Sequence, residues 1–137
     1  MHFEYKIEGG DFTKAGHASS EVKKVLKQLG VDFAIVKRIV VALYEAEVNI
    51  VAHAFSGIIY VDIDQDNIKI HLIDKGPGIA DINLAMKEGY STASQKVREM
   101  GFGAGMGLAN IKRNADIFNI KSHLGEGTEV EIVNSLN

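Results

Sequence analysis

The longest helical pattern in the sequence limits the folds that this chain can adopt. Apolar residues recur at three- and four-residue spacing from Phe33 to about Ala54, and they cover much of the girth of the predicted helix. Such a helix must lie against a sheet on one side and against other helices on another, because it has little polar surface to offer to solvent. Asp32 is placed to cap its first turn. We therefore predict this helix as the spine of an α+β domain.

Five short segments show the alternating pattern of half-buried strands. The second and third are separated by residues 64–67, which is typical of a hairpin, and the last two flank a turn at 125–127. Strands joined by hairpins, with helices between them, predict a mixed, mostly antiparallel sheet with helices on one face, a two-layer sandwich. The apolar positions of these strands are Phe3, Tyr5, Ile7, Ile59, Val61, Ile63, Ile68, Ile70, Leu72, Phe118, Ile120, Val130 and Ile132.

A second helical pattern precedes the long helix. Its apolar positions run from Ala15 to Leu29 at helical spacing. Asp11 or Thr13 is available to cap the start, and Gly30 is placed to end it. The sequence therefore predicts two consecutive helices joined by a short turn.

Two more helices are predicted in the second half of the chain. A short one is capped by Asp81 and ended by Gly89, and another covers about Met106 to Ala115. The stretch between them, from Tyr90 to Gly107, is polar and rich in glycine. We predict a mobile loop there.

The composition excludes several classes of function. The chain has 137 residues, so we predict a single domain over residues 1–137. Its formal net charge of −3 gives no general positive field, and neither nucleic acid nor a membrane is expected as a partner. The absence of cysteine excludes disulfides and thiolate chemistry. The apolar run from Ile39 to Tyr44 is too short to span a bilayer, and Met1 to Lys6 lacks the layout of a secretion signal, so a cytoplasmic protein is expected.

The glycines are distributed unevenly, with nine of the fourteen between residues 76 and 127. Glycine lets a ligand approach the backbone amides closely, so alternating glycines before a helix are suited to holding phosphate. A flexible linker or tight turn is the alternative interpretation. The spacing argues against a P-loop or a Rossmann site. The alternating glycines are Gly101, Gly103, Gly105 and Gly107.

Polar side chains lie on one face of the long helix. Glu45 and Asn49 are four residues apart, and His53 continues the same face by another turn. A carboxylate can act as a general base, and an amide oxygen can ligate Mg²⁺. The alternative is a solvated stripe, and Glu47, one position off this face, fits that alternative.

Asp74 follows an apolar strand and directly precedes the turn at Gly76-Pro77-Gly78. Such an aspartate commonly stabilises a turn. The alternative is recognition of a base, because a buried carboxylate accepts strongly from an exocyclic amine. The remaining histidines have no spacing typical of metal ligands, so a histidine metal site is not expected.

Four segments taken in order resemble the ATP-binding boxes of the GHKL ATPase superfamily. They are Glu45–Asn49, Asp74–Ile79, Gly101–Leu108 and Gly125–Thr128. The set covers nearly the whole chain and is most similar to the anti-sigma-factor serine/threonine kinases, in the switch-kinase branch of stress signalling. This resemblance implies the Bergerat-type ATP-binding fold and a kinase that uses ATP and Mg²⁺.

The resemblance also implies roles for single residues. Glu45 would be the general base, Asn49 would ligate Mg²⁺ at the nucleotide phosphates, and Asp74 would accept from the adenine amino group with help from a water held by Thr128. The stretch from Tyr90 to Met100 would be the ATP lid. Residues that would shape or line the adenine pocket are Gly76, Gly78 and Ile79. Residues that would offer backbone amides to the phosphates are Gly103, Gly105, Gly107 and Leu108.

The expected partner is a small anti-sigma-factor-antagonist protein of the STAS-like type, which the kinase would phosphorylate in partner-switching control of transcription. A sigma factor or another regulator is a further expected partner, and the apolar surface of two helices and a sheet face is sufficient for a homodimer. Lys112 and Arg113 follow the start of the last helix and are interpreted as surface or partner contacts. The alternative function is a nucleotide-gated binding module, an anti-sigma factor with little turnover.

Overall fold

The computed structural model describes residues 1–87 and 107–137, and its five strands form one sheet. The strands are β1 (His2–Glu8), β2 (Ser56–Ile63), β3 (Asn67–Lys75), β4 (Ile117–His123) and β5 (Gly127–Ser135). Their order across the sheet is β1-β2-β3-β5-β4, and every pair of neighbours is antiparallel. The α+β prediction is confirmed. The sheet, predicted as mixed and mostly antiparallel, is antiparallel at every described pairing.

Helices cover one face of this sheet. They are α1 (His17–Gln28), α2 (Phe33–His53), α3 (Ile82–Ala85) and α4 (Gly107–Asn114), with a short 3₁₀ helix at Phe12–Lys14. The long helix α2 packs against the sheet, α1 and α4, as its apolar girth predicts. The core side chains of the sheet alternate along the three inner strands and are fully buried at Ile59, Val61, Ile68, Ile70 and Ile132. No helix in the described part of the chain is long and apolar enough to cross a membrane.

The start of α1 differs from the prediction. Neither Asp11 nor Thr13 caps it, because these side chains bond to each other at 2.7 Å and the helix begins only at His17. A carboxylate from α2 serves its first turn instead, since Glu47 accepts from the backbone N–H groups of Ala18 at 3.0 Å and of Ser19 at 3.1 Å. Glu47 is fully buried, so its interpretation as part of a solvated stripe is wrong. Its carboxylate links α2 to α1 through two buried hydrogen bonds.

Other predicted helix boundaries are confirmed or shifted slightly. Gly30 ends α1 with φ of 74°, and Asp81 caps α3 by accepting from the N–H of Leu84 at 3.0 Å. Asp32 stands at the start of α2, but its side chain makes no capping hydrogen bond. The helix α3 ends at Ala85, earlier than predicted. Most of the predicted loop lies outside the described residues.

The opposite face of the sheet carries ion pairs together with exposed apolar side chains such as Ile73 and Ile117. Lys69 pairs with Glu131 at 3.3 Å across β3 and β5, and His71 pairs with Glu129 at 2.6 Å. These are exposed or half-buried side chains, and such pairs contribute little to stability.

Candidate functional site

Glu45 and Asn49 face α4, and both side chains are half-buried. The first residue of α4 stands directly against Asn49, because a methyl group at Gly107 would lie 2.9 Å from Asn49 Oδ1. Glycine at this position leaves room for the amide of Asn49. The two polar residues that the sequence places on one face of α2 therefore line the seam between two helices, and the solvated-stripe alternative does not describe them.

Two residues of α4 that the sequence analysis did not assign to the site extend this seam. Asn110 donates from Nδ2 to Glu45 Oε1 in a long contact of 3.5 Å, and Arg113 donates to Asn110 Oδ1 at 2.9 Å. Arg113, interpreted from sequence as a surface or partner contact, thus reaches the site through Asn110, while Lys112 is exposed. We call the set formed by Glu45, Asn49, Gly107, Asn110 and Arg113 the α2–α4 cluster.

Asp74 lies near the end of β3 with its carboxylate half-buried. Oδ1 accepts from the backbone N–H of Thr128 at 3.0 Å, and Oδ2 accepts no hydrogen bond from any described residue. Burial raises the pKa of the Asp74 carboxyl above its usual value, although the Thr128 N–H opposes this effect. One oxygen of a desolvated carboxylate is therefore held in place while the other remains open to a donor.

Glycines surround Asp74 because the backbone comes too close for side chains. A methyl group at Gly127 would lie 2.1 Å from the carbonyl oxygen of Asp74, and one at Gly78 would lie 2.5 Å from the carbonyl oxygen of His123. Both residues have positive φ, 147° at Gly127 and 76° at Gly78. The turn after β3 and the turn before β5 are thus packed backbone to backbone around the carboxylate.

A serine that the sequence analysis did not assign to the site ties this region together. Ser122 Oγ accepts from the N–H of Ile79 at 2.7 Å and is 2.9 Å from Thr128 Oγ1. Only the pairing of β4 with β5, which sets Ser122 opposite Thr128, reveals its role. We call the set formed by Asp74, Gly76, Gly78, Ile79, Ser122, Gly127 and Thr128 the Asp74 cluster.

The end of α2 joins the two clusters. A methyl group at Gly76 would lie 3.0 Å from the Cα of Ala54, the residue that follows α2. Asn49 and Ala54 are five residues apart, about 7.5 Å along a helix axis. His53 lies between them on the same face, and burial lowers the pKa of its imidazole, which favours the neutral form. The clusters are thus neighbouring parts of one region.

Some predicted residues lie elsewhere or cannot be compared. Gly103 and Gly105, and the stretch from Tyr90 to Met100, are outside the described residues. Leu108 is in the first turn of α4, as predicted, with its side chain in the hydrophobic core. Its backbone therefore lies at the helix start beside Asn49, where the amides of Gly107 and Leu108 precede the ladder of helical hydrogen bonds.

The oxygen donors of this region suit a hard cation. Asn49 makes no hydrogen bond to a described residue, so its amide oxygen is free to bind a cation such as Mg²⁺, with waters and phosphate oxygens as the other ligands. No group of three or more histidine, aspartate or glutamate side chains in the described residues could hold a metal ion alone. A cation here would therefore depend on the ligand that it accompanies.

The chain matches one protein family and several characterised relatives. Residues 11–133 match the histidine kinase-like ATPase domain family. The chain is 36% identical over 115 residues to the serine/threonine-protein kinase RsbT of Bacillus subtilis, a match that covers 81% of this chain and 80% of that protein. It is 30% identical over 102 residues to an anti-sigma F factor of Clostridium beijerinckii, covering 70% of this chain and 68% of the relative.

Solved structures agree on the fold. The structure of the RsbU and RsbW domains of Rv1364c from Mycobacterium tuberculosis matches with a TM-score of 0.67 and 16% identity, over 99% of this chain and 32% of that one. The mycobacterial sensor histidine kinase MprB matches with a TM-score of 0.55 and 17% identity, over 98% of this chain and 97% of that one. The chain belongs to the histidine kinase-like ATPase domain family, and within it to the protein serine/threonine kinases.

Proposed function

We propose that residues 1–137 act as one ATP-binding kinase domain in the cytoplasm. In this proposal the domain transfers the γ-phosphoryl group of ATP to a serine or threonine of a small STAS-like anti-sigma-factor antagonist. The observation that carries the proposal is the convergence of Glu45 and Asn49 on α4, next to a half-buried Asp74 with one open carboxylate oxygen. One region thus offers a base, a cation ligand and an acceptor for an exocyclic amine.

The Asp74 cluster would hold the adenine. The open oxygen of Asp74 accepts from the adenine amino group, and Thr128 holds both the other oxygen and a bridging water. Gly76, Gly78 and Ile79 would line the base. A methyl group at Gly76 would lie 3.5 Å from Asp74 Oδ1, Gly78 packs against the carbonyl of His123, and Ser122 holds the N–H of Ile79. Charged acceptors make the stronger hydrogen bonds, so the ionised form of Asp74 is the binding form.

The α2–α4 cluster would carry out the transfer. Glu45 takes the proton from the attacking hydroxyl, whose oxygen bonds to the γ-phosphorus while the bond from that phosphorus to the β–γ bridging oxygen breaks and ADP leaves. Asn49 would hold Mg²⁺, which offsets charge on the phosphates when it is bound. The backbone amides of Gly107 and Leu108 would donate to the phosphates, and the same role is proposed for the amides of Gly103 and Gly105. Phosphoryl transfer needs chiefly such positioning and charge compensation.

A second function is favoured by the relatives that are anti-sigma F factors, at 30% identity or more. In this version the same pocket binds ATP or ADP, turnover is slow, and the bound nucleotide decides whether a sigma factor or another regulator is held. A homodimer is compatible with either function. Glu45 distinguishes the two, because a protein that only binds has no use for a base beside the phosphates.

The test is transfer of labelled γ-phosphate from Mg–ATP to soluble proteins of the source organism. Wild type and Glu45→Gln are compared at equal occupancy with nucleotide, which is measured separately with ADP. We expect one small protein to be labelled by the wild type, with a loss of roughly 10²- to 10⁴-fold in Glu45→Gln.

Each alternative has a distinct result. Label that forms at the same rate with Glu45→Gln would remove the base from this residue. Nucleotide binding without labelled protein would favour the nucleotide-gated binding module. Absence of nucleotide binding would contradict both functions.

A further inference from the structure

We infer that the solvent-exposed side of α2 is the surface on which the protein acceptor docks, an inference that rests on the proposed kinase function. Four residues define this side, Phe33, Lys37, Val41 and Tyr44, and we call them the α2 stripe. Their spacing of four, four and three residues places them along one face of the helix. None of them belongs to the Asp74 cluster or to the α2–α4 cluster.

The other sides of α2 are covered. Ile39, Leu43 and Ile50 are buried in the core against the sheet. Glu47 bonds to the first turn of α1, and Asn49 stands against Gly107 of α4. In the described part of the chain, the α2 stripe is the side of this helix on which Phe33, Lys37 and Tyr44 are exposed.

The stripe exposes large apolar side chains in a row. Phe33 is 67% exposed and Tyr44 is 39% exposed, with Val41 half-buried between them along the helix. A single exposed apolar residue on a surface needs no explanation, but two exposed aromatic residues on one helix face are typical of interaction sites. The apolar part of the stripe could therefore be covered by a partner.

The stripe ends beside Glu45, the proposed base. Val41 lies one turn before Glu45 on adjoining positions of the helix surface, and Tyr44 is the residue that precedes Glu45. A protein that packs on the stripe is thus held beside the carboxylate that would take the proton. This adjacency favours the phosphoacceptor, among the possible partners, as the occupant.

The charges around the stripe indicate what the acceptor carries. The helices α1, α2 and α4 contain seven lysines or arginines and three glutamates, although the whole chain has a net charge of −3. Lys23 and Lys27 follow Ser19 at four-residue spacing on α1, and Ser19 is the residue that Glu47 of α2 holds. This lysine row is exposed, and the helix that carries it packs beside α2. In the described part of the chain Lys23, Lys27 and Lys37 form no ion pair.

Exposed, uncompensated lysines beside an apolar strip fit an acceptor with aspartate or glutamate next to apolar side chains around its serine or threonine. A second copy of this chain fits less well, because it would bring the same positive helices against each other. The occupant that the charges select is therefore an acidic protein surface.

The experiment measures transfer to the labelled acceptor, purified after its identification, with Lys23→Glu/Lys27→Glu and with Phe33→Ser. We expect kcat/KM for the acceptor to fall by about tenfold in the double variant at low salt and by about fivefold in Phe33→Ser. The effect of the double variant should shrink at about 0.5 M salt, because exposed charges are screened. Affinity for ADP and kcat at saturating acceptor should stay within about twofold of the wild type, since charge at the rim of an interface acts mainly on association.

The matched control is Lys6→Glu/Lys69→Glu, which makes the same change in net charge on the opposite face of the sheet. It should leave kcat/KM unchanged. An equal loss of kcat/KM in the control and in the lysine-row variant would overturn the docking surface. So would an unchanged kcat/KM in both the lysine-row variant and Phe33→Ser. A change in oligomeric state without a change in transfer would also overturn it. If the wild type labels no protein, the kinase function itself fails, and the docking surface fails with it.

Discussion

The Asp74 cluster and the α2–α4 cluster lie in one region but are built in different ways. Around Asp74 the backbone leaves no space, with a methyl group at Gly127 or Gly78 placed within 2.5 Å of a carbonyl oxygen. Hydrogen bonds of 2.7–3.0 Å join Asp74, Thr128, Ser122 and Ile79 there. Among the residues that the structure describes, Glu45 has one hydrogen bond, a long one of 3.5 Å from Asn110, and Asn49 has none.

We infer from this difference that the two clusters have different functions. A pocket made of backbone and short hydrogen bonds is preorganised, so it can recognise a flat base with little loss of freedom on binding. Side chains with few fixed partners can rearrange around phosphates, a cation and an incoming hydroxyl. We therefore expect substitutions in the Asp74 cluster to change nucleotide affinity, and substitutions in the α2–α4 cluster to change the rate of transfer.

The largest effect on stability is expected from a carboxylate that belongs to neither cluster. Glu47→Ala removes a buried side chain and leaves the N–H groups of Ala18 and Ser19 without an acceptor. We expect the free energy of unfolding to fall by about 3 kcal/mol in urea titrations. Affinity for ADP, measured well below the unfolding transition, should stay close to that of the wild type. The exposed Glu8→Ala serves as the control, and a similar loss there would contradict the buried link that Glu47 makes.

A smaller effect is expected when the open acceptor of the Asp74 cluster is changed. Asp74→Asn replaces a charged acceptor by a neutral amide that can also present a donor to the adenine amino group. Loss of a hydrogen bond to a charged group costs about 1.5–3 kcal/mol, so the Kd for ADP in calorimetry should rise by about 10- to 100-fold. The exposed Asp66→Asn should bind ADP normally. If Asp74→Asn keeps the affinity of the wild type, the adenine is bound elsewhere.

Ser122→Ala should have a moderate effect. The substitution removes the acceptor of the Ile79 N–H, the contact with Thr128 Oγ1 and the hydrogen bond that Ser122 donates to the carbonyl oxygen of Gly127. A net hydrogen bond is worth about 1 kcal/mol, so ADP should bind about fivefold more weakly while transfer at saturating ATP stays unchanged. Ser20→Ala on the exposed side of α1 is the control. A change in transfer without a change in affinity would break the division between the clusters.

The smallest effect is a pH dependence. Burial raises the pKa of the Asp74 carboxyl, so the folded apo protein gains stability from this group as the pH falls through that raised value towards the ordinary pKa of an aspartate. Affinity for ADP should fall over the same range, because the ionised carboxylate is the better acceptor. The difference between wild type and Asp74→Asn isolates both trends. Parallel pH profiles for the two proteins would show that Asp74 does not titrate in this window.

The sequence predicted the helices and strands better than it predicted the contacts between them. Apolar periodicity was sufficient for the five strands and for α1, α2 and α4, because burial of one face leaves a regular pattern. Periodicity says only that Glu47 is polar, and its burial follows from the free N–H groups at the start of α1. The roles of Ser122 and Asn110 depend on neighbours distant in the chain, Ile79 and Glu45, that only the assembled fold brings close. Such contacts leave no local signal.

The most direct test of the division between the clusters is to measure two quantities on the same protein preparations. These are the Kd for ADP and the single-turnover rate of phosphate transfer from Mg–ATP to the purified acceptor, for wild type, Glu45→Gln and Asp74→Asn. We expect Glu45→Gln to bind ADP normally and to transfer about 10²- to 10⁴-fold more slowly. We expect Asp74→Asn to bind weakly and, at saturating ATP, to transfer at close to the wild-type rate. Normal transfer by Glu45→Gln, or normal binding by Asp74→Asn, would contradict the assignment.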